Sequence, residues 1–169
     1  MPIIDKILYA TDLSKNSAYA FQYATDIADK HDALIYIINV VEELPETARI
    51  TLENYLSDEQ YQKFLNRKLD SVDIIKERLT AFCDNVQKGD PQCVFRVAAI
   101  DVFEGHPVNE ILSYAEKNSC DMIVMGTHGK GLISHALLGS VAEKVIRRSK
   151  VPVVVIPIPE KGTEIAYEI

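Results

Sequence analysis

The chain lacks most of the features that would place it at a membrane, on nucleic acid or in an oxidising compartment. None of its 169 residues falls in an apolar run approaching the roughly 18 needed for a membrane span. Basic residues are in deficit: 18 lysines and arginines stand against 25 acidic residues, a formal net charge of −7. Nucleic acid and anionic membranes demand a basic face, so neither is expected as a partner. An anionic ligand would have to be held by local backbone donors and not by the overall field. Cysteine is scarce, at Cys83, Cys93 and Cys120, with no CxxC spacing. These read as buried apolar residues in a reducing compartment, against a disulfide or metal role. The opening Met1-Pro2-Ile3-Ile4-Asp5-Lys6 has neither a basic n-region nor a long apolar stretch, so no export signal is expected. These absences predict a soluble cytoplasmic protein.

What is present is a core. At 47% apolar residues the chain has ample material for one domain. Five short apolar runs stand out: Ile3 to Thr11, Leu34 to Val41, Cys93 to Ile100, Asp121 to Met125 and Pro152 to Ile156. Ile35-Tyr36-Ile37-Ile38 and Val153-Val154-Val155-Ile156 are continuous, as parallel strands covered on both faces should be. The third run alternates more, with Arg96 inside it, and suits an edge strand. Helical patterns fill the gaps. Ser14 reads as an N-cap for a helix to about His31, with Ala20, Ala24, Ile27 and Ala28 inward. Pro107 suits a first helical turn, and Val108, Ile111, Leu112 and Ala115 follow at helical spacing. A last helix opens near Gly139-Ser140 and buries Val141, Val145 and Ile146.

The second crossover is the longest. From Asp58 to Val86, apolar residues including Tyr61, Leu65, Leu69, Ile75 and Leu79 recur every three or four positions. Packing onto the sheet explains that stripe; a coiled-coil seam is the alternative. Glu42 to Ser57 shows no periodicity and is expected to be an irregular connection. The alternation predicts an α/β fold, a doubly wound parallel sheet with right-handed crossovers; a single sheet of five strands in the order 3-2-1-4-5, with helices on both faces, is the expected architecture. The domain is expected over residues 1–157, with a C-terminal tail over 158–169.

The most informative stretch follows the fourth run. Gly126-Thr127-His128-Gly129 is separated by nine residues from Gly139-Ser140, where helical spacing begins. A glycine-rich strand-to-helix connection suits phosphate, because the backbone can approach closely and the N–H groups of the helix start point at the anion. In doubly wound sheets ligands bind beyond the strand C-termini where strand order reverses. The predicted order puts Ala10-Thr11-Asp12 and Gly126 at that point. The first turn has no GxGxxG, which argues against a dinucleotide fold, and Gly129-Lys130-Gly131 lacks the GK[ST] of a P-loop.

The arrangement resembles the ATP-binding branch of the universal stress protein family, whose motif is Gly, two residues, Gly, nine residues, Gly, then Ser or Thr. Here it is complete from Gly126 to Ser140, and Lys6 to Ser14, Asp121 to Gly126, Val141 to Ile146 and Val151 to Val155 also look like the family. The resemblance spans about residues 2–157. It implies that Ala10, Thr11 and Asp12 lie near the ribose and adenine, and that Val40 and Val41 border the base. It further implies that Gly126, His128, Gly129, Gly139, Ser140, Val141 and Ala142 wrap ribose and phosphates. The backbone N–H groups of Gly139 to Val141 are the expected phosphate donors, with the Ser140 hydroxyl added. Asp12 is the candidate ligand for magnesium arriving with ATP; capping the first helix is its other reading. Ser140 reads as a phosphate donor or an N-cap. His128 and His135 read as loop residues, His128 with a possible contact to ribose or phosphate, and His106 as structural. Lys130 reads equally as a phosphate contact or an exposed lysine.

No nucleophile–base pair is evident. The expected function is therefore an ATP-binding regulatory or stress-response protein, a nucleotide-dependent conformational or stability switch with slow hydrolysis at most. A nucleotide-independent interaction protein on the same fold is the alternative, and an efficient ATPase or nucleotidyl transferase a third. A homodimer through the apolar last strand is expected, unless the tail covers that edge.

Overall fold

Strand and helix alternate in the computed structural model, which describes residues 3–13, 17–89, 96–127 and 138–157. The strands are β1 (Lys6–Ala10), β2 (Leu34–Glu42), β3 (Val97–Gly105), β4 (Met122–Gly126) and β5 (Val153–Ile156). The helices are α1 (Ser17–His31), α2 (Glu46–Tyr55), α3 (Asp58–Gly89), α4 (Pro107–Lys117) and α5 (Ser140–Arg148). All pairings are parallel and the strand order is β3-β2-β1-β4-β5, as expected.

Successive residues of a strand point to opposite faces, and here both faces are covered. In β1, Ile7 and Tyr9 enter a cluster with Phe21, Ala24 and Ala28 of α1 and Leu79 of α3. Leu8 and Ala10 enter a second cluster with Val108, Ile111 and Tyr114 of α4 and Ala142 and Val145 of α5. Such double burial is why the strands read as continuous apolar runs. Ala20, Ala24 and Ala28, four residues apart, give α1 a small-residue stripe that lets it approach the sheet closely. The helices thus divide by face, α1 and α3 on one side and α4 and α5 on the other. Strand order therefore reverses between β1 and β4.

Three expectations need correction or qualification. Residues 42–57 are not an irregular connection, since Glu46–Tyr55 forms α2. No α2 residue is buried, so this helix has no apolar face to leave a periodic trace in the sequence. The third strand is described from Val97 and runs to Gly105, past the expected end at Ile100, while Cys93 to Phe95 lie outside the described residues. Its partner β2 continues to Glu42, and the ladder extends through Val41↔Glu104 and Glu42↔Gly105. Pairing at the sheet edge thus carries polar residues into a strand that apolar content alone ends too early. The start of α1 is seen at Ser17, while Ser14 lies outside the described residues.

The stripe on the long α3 packs on the sheet where it is described: Leu79 is buried and Ile75 packs against the same cluster. The short, apolar β5 lies at the sheet's outer edge, as expected. Cys120 is a free, buried cysteine whose thiol is pushed up to about 11 by burial, which keeps it neutral and unreactive. No helix among the described residues is long and apolar enough to cross a membrane.

Candidate functional site

β1 and β4 end side by side, about 4.8 Å apart in the ladder direction, while β2 continues past Ile38 to Glu42. Ala10 stands between Ile38 and Met125 in register. Beyond it, the chain leaves the sheet by a tight turn. The Thr11 N–H donates to the Ile38 carbonyl at 3.0 Å, a backbone tie to β2. The Leu13 N–H donates to the Thr11 hydroxyl oxygen at 3.2 Å. Leu13 has φ +58, left-handed backbone that costs a branched residue about 1 kcal/mol or more. Burial of the Leu13 side chain in the first cluster offsets that cost. Asp12 is carried on this turn, half-exposed, with one carboxylate oxygen buried.

On the β2 side, Val40 and Val41 are half-buried. Just before them stands Asn39, 4% exposed. Its Nδ2 donates to the Thr11 carbonyl at 2.8 Å. Residue-by-residue reading of the sequence missed Asn39, although a signal existed. An amide inside the apolar run from Ile35 to Val41 must find a hydrogen-bond partner when buried.

The β4 side supplies the helix start. Gly126 ends β4 opposite Ile156. Thr127 donates its N–H to the Ile156 carbonyl at 3.0 Å and accepts from the Gly139 N–H at 2.8 Å. The second bond pinches the two ends of the long loop together. It also moves the donors by one residue relative to the sequence expectation. The Gly139 N–H is engaged in closing the loop, which leaves Ser140, Val141 and Ala142 as the first-turn donors. Gly139 takes the N-cap position with φ −60 and ψ 147, and has no side chain with which to cap. Its carbonyl accepts from the Glu143 N–H at 2.9 Å, which starts α5. The N-terminal N–H groups of a helix have no partner within it, and the dipole adds positive potential there.

Ser140 is exposed and Val141 half-buried, whereas the Ala142 methyl faces the second core cluster. Ala142 can therefore offer a ligand only its main chain. His128, Gly129, Lys130 and His135 lie outside the described residues. His106 occupies the N-cap position of α4, where its carbonyl accepts from Asn109 and Glu110, in keeping with a structural role. Asp101, at the far edge strand, accepts a 2.6 Å hydrogen bond from the Tyr114 hydroxyl. Burial, then that bond to a carboxylate, raises the Tyr114 phenol above its ordinary value, so Tyr114 stays a neutral donor in a packing contact. Among the described residues no group of three or more His, Cys, Asp or Glu gathers to hold a metal. Asp12 alone would need a ligand's own oxygens to complete a magnesium shell.

Val40 and Val41, the Asp12 carboxylate and the helix-start donors of Ser140 to Ala142 are thus carried at the C-terminal side of the sheet, on the strands around the reversal point. Comparison with known proteins agrees with the motif. The family model for the Universal stress protein family matches residues 4–157. Universal stress protein MJ0531 of Methanocaldococcus jannaschii is 35% identical over 156 residues, 92% of this chain and 84% of its own. Universal stress protein MJ0577 of the same organism is 31% identical over 158 residues, 89% of this chain and 93% of its own. The solved structure of MJ0577 superposes with a TM-score of 0.68 at 28% identity, covering 95% of this chain and 100% of that one. A universal stress protein from Archaeoglobus fulgidus, solved in complex with dAMP, shares the fold at 18% identity and a TM-score of 0.52, covering 92% and 99%. With a match that runs almost the whole length of the domain, the chain belongs to the universal stress protein family.

Proposed function

We propose that this protein binds ATP, with magnesium, in the crevice between the ends of β1 and β4, and acts as a regulatory stress-response protein. The observation that carries the reading is the pinched loop. The Thr127–Gly139 bond sets the start of α5 beside the reversal point, where Ser140, Val141 and Ala142 offer backbone donors to phosphate. Ala10, Thr11 and Asp12 serve the ribose side, Val40 and Val41 the base, and Gly126 the close approach of the backbone. His128 and Gly129 complete the cradle in the family motif. The Asp12 carboxylate would hold magnesium together with phosphate oxygens, and the metal would supply neutralising charge. A relative of the same fold solved with dAMP supports an adenine nucleotide at the level of the fold.

Hydrolysis is slow in this reading, because a fast ATPase needs an oriented water and charge on the transferring phosphoryl group. Binding changes stability or shape instead, and the domain (1–157) with its tail (158–169) works in the cytoplasm. Calorimetry with ATP, ADP, AMP and FMN tests the proposal. The expected result is heat with adenine nucleotides alone, and stabilisation of about 2.7 kcal/mol when ATP is present at 100 times its Kd. No heat with any adenine nucleotide, joined with no thermal stabilisation, would sink it. The interaction-protein alternative would then lead, favoured by α2, which buries nothing and leaves Leu44, Ile50 and Tyr55 nearby exposed.

The protein is also proposed to form a homodimer through β5. β5 is apolar and stands at the outer edge of the sheet among the described residues, and a two-fold partner strand would pair its outward backbone groups. Val155→Pro removes an edge donor, because the Ile123-to-Pro152 and Thr127-to-Ile156 bonds turn the Val155 N–H away from β4, and it should shift the dimer to monomer in light scattering. A wild-type mass that stays at 19.0 kDa at every concentration would refute the dimer.

A further inference from the structure

One side chain ties two walls of the crevice together. Asn39 lies in β2, one residue past the Ile38 that pairs with Ala10. It is 4% exposed, in a strand whose neighbouring side chains are apolar. Its amide Nδ2 reaches across to β1 and donates to the Thr11 carbonyl at 2.8 Å. Thr11 in turn fixes Leu13 through its hydroxyl, and Leu13 is held at φ +58. The peptide that carries Asp12 is thereby clamped on both sides. In the other chain direction, Asn39 adjoins Val40 and Val41. A polar group is costly in a buried strand, so retaining one there calls for a specific bond in return.

We propose that Asn39 is a positioning residue of the nucleotide crevice: its amide holds the Thr11–Leu13 turn against β2, and so fixes Asp12 relative to the wall formed by Val40 and Val41. The inference rests on the nucleotide reading and adds to it a residue that touches no ligand. A side chain that only filled space would be replaceable by an apolar one of equal size. A clamp requires the donor.

The test uses Asn39→Leu, which keeps a branched side chain of four heavy atoms without the donor, and Asn39→Asp, which keeps the shape but donates only when protonated. A buried carboxyl facing a carbonyl has its protonation favoured, so the Asp variant regains a donor as pH falls from 8 to 5.5. ATP affinity is measured as the ratio of variant to wild type, which cancels pH effects common to both. The expected result is about a tenfold weakening in both variants at pH 8, with recovery towards wild type at pH 5.5 for Asn39→Asp only. Folded variants that bind like wild type, or a ratio for Asn39→Asp that is flat with pH, would overturn the clamp.

A second measurement needs no variant. The side-chain amide resonances of Asn39 should shift on adding ATP to the wild type. Those of Asn118, whose Nδ2 makes a similar bond to the Tyr114 carbonyl at 3.0 Å, should stay still. No shift at Asn39 under saturating ATP would overturn the clamp even if both variants failed to fold. Without nucleotide, the Leu13 amide should exchange with solvent at least about tenfold faster in Asn39→Leu. If the wild type binds no nucleotide yet that exchange accelerates, the nucleotide reading fails and the clamp on the turn stands. If the wild type binds and the variants match it, the reverse holds.

Discussion

Replacing Gly139 by valine should lower ATP affinity by about 100-fold or more while the melting temperature moves by only a few degrees. Gly139 has φ −60 and ψ 147, a conformation open to every residue. Valine therefore meets no backbone strain there, and its N–H can still donate to the Thr127 carbonyl. What valine adds is bulk at the mouth of the helix start. Its branched side chain would stand in front of the Ser140, Val141 and Ala142 donors, where phosphate must approach. Loss of several charge-assisted hydrogen bonds, each worth about 1.5–3 kcal/mol, gives the scale of the affinity loss. Gly139→Ala, with one methyl group, should fall between. Calorimetry and thermal melting on the same samples decide the matter. Full affinity in the valine variant would mean that phosphate lies elsewhere.

Phe21→Ala should be the opposite case, a large loss of stability that reaches the site only through the fold. Phe21 is fully buried on α1 and packs against Tyr9 with ring centroids 5.0 Å apart at 43°. The Tyr9 hydroxyl donates to the Ser17 carbonyl at the start of the same helix. Removing the ring forfeits its transfer free energy and opens a cavity between helix and sheet. The expected cost is about 3–5 kcal/mol. For a chain of this length that lowers the melting temperature on the order of 10 °C. Denaturant melts measure it directly, and a loss below about 1 kcal/mol would show that α1 does not pack as described.

Much of this architecture was legible in the sequence, for a physical reason. β1, β2, β4 and β5 are covered on both faces, so burial wrote them as continuous apolar runs. The Gly126 to Ser140 motif was legible because its glycine spacing is that of the family whose model the chain matches. The limits have equally specific causes. α2 has no buried face, so nothing in the sequence repeats with helical period. β3 ends where pairing with β2 ends, and its edge position admits Asp101 and Glu104 into the strand. Leu13 adopts a left-handed conformation that composition does not announce, because tertiary packing holds it there. The use of the Gly139 N–H in closing the loop depends on where Thr127 lies in space. Asn39 could have been singled out as a polar residue inside an apolar run, but its partner is 28 residues away along the chain.

The most direct test of the nucleotide crevice is the pattern of backbone amide NMR shifts in the wild-type protein titrated with ATP and magnesium. The predicted result is a set of large shifts at Thr11, Asp12, Val40, Val41, Gly126, Ser140, Val141 and Ala142, the residues that the fold gathers at the β1 and β4 ends. Shifts collected instead along α2, where Thr47, Ala48, Thr51 and Leu52 line a shallow groove, would contradict it, as would no shifts at saturating nucleotide.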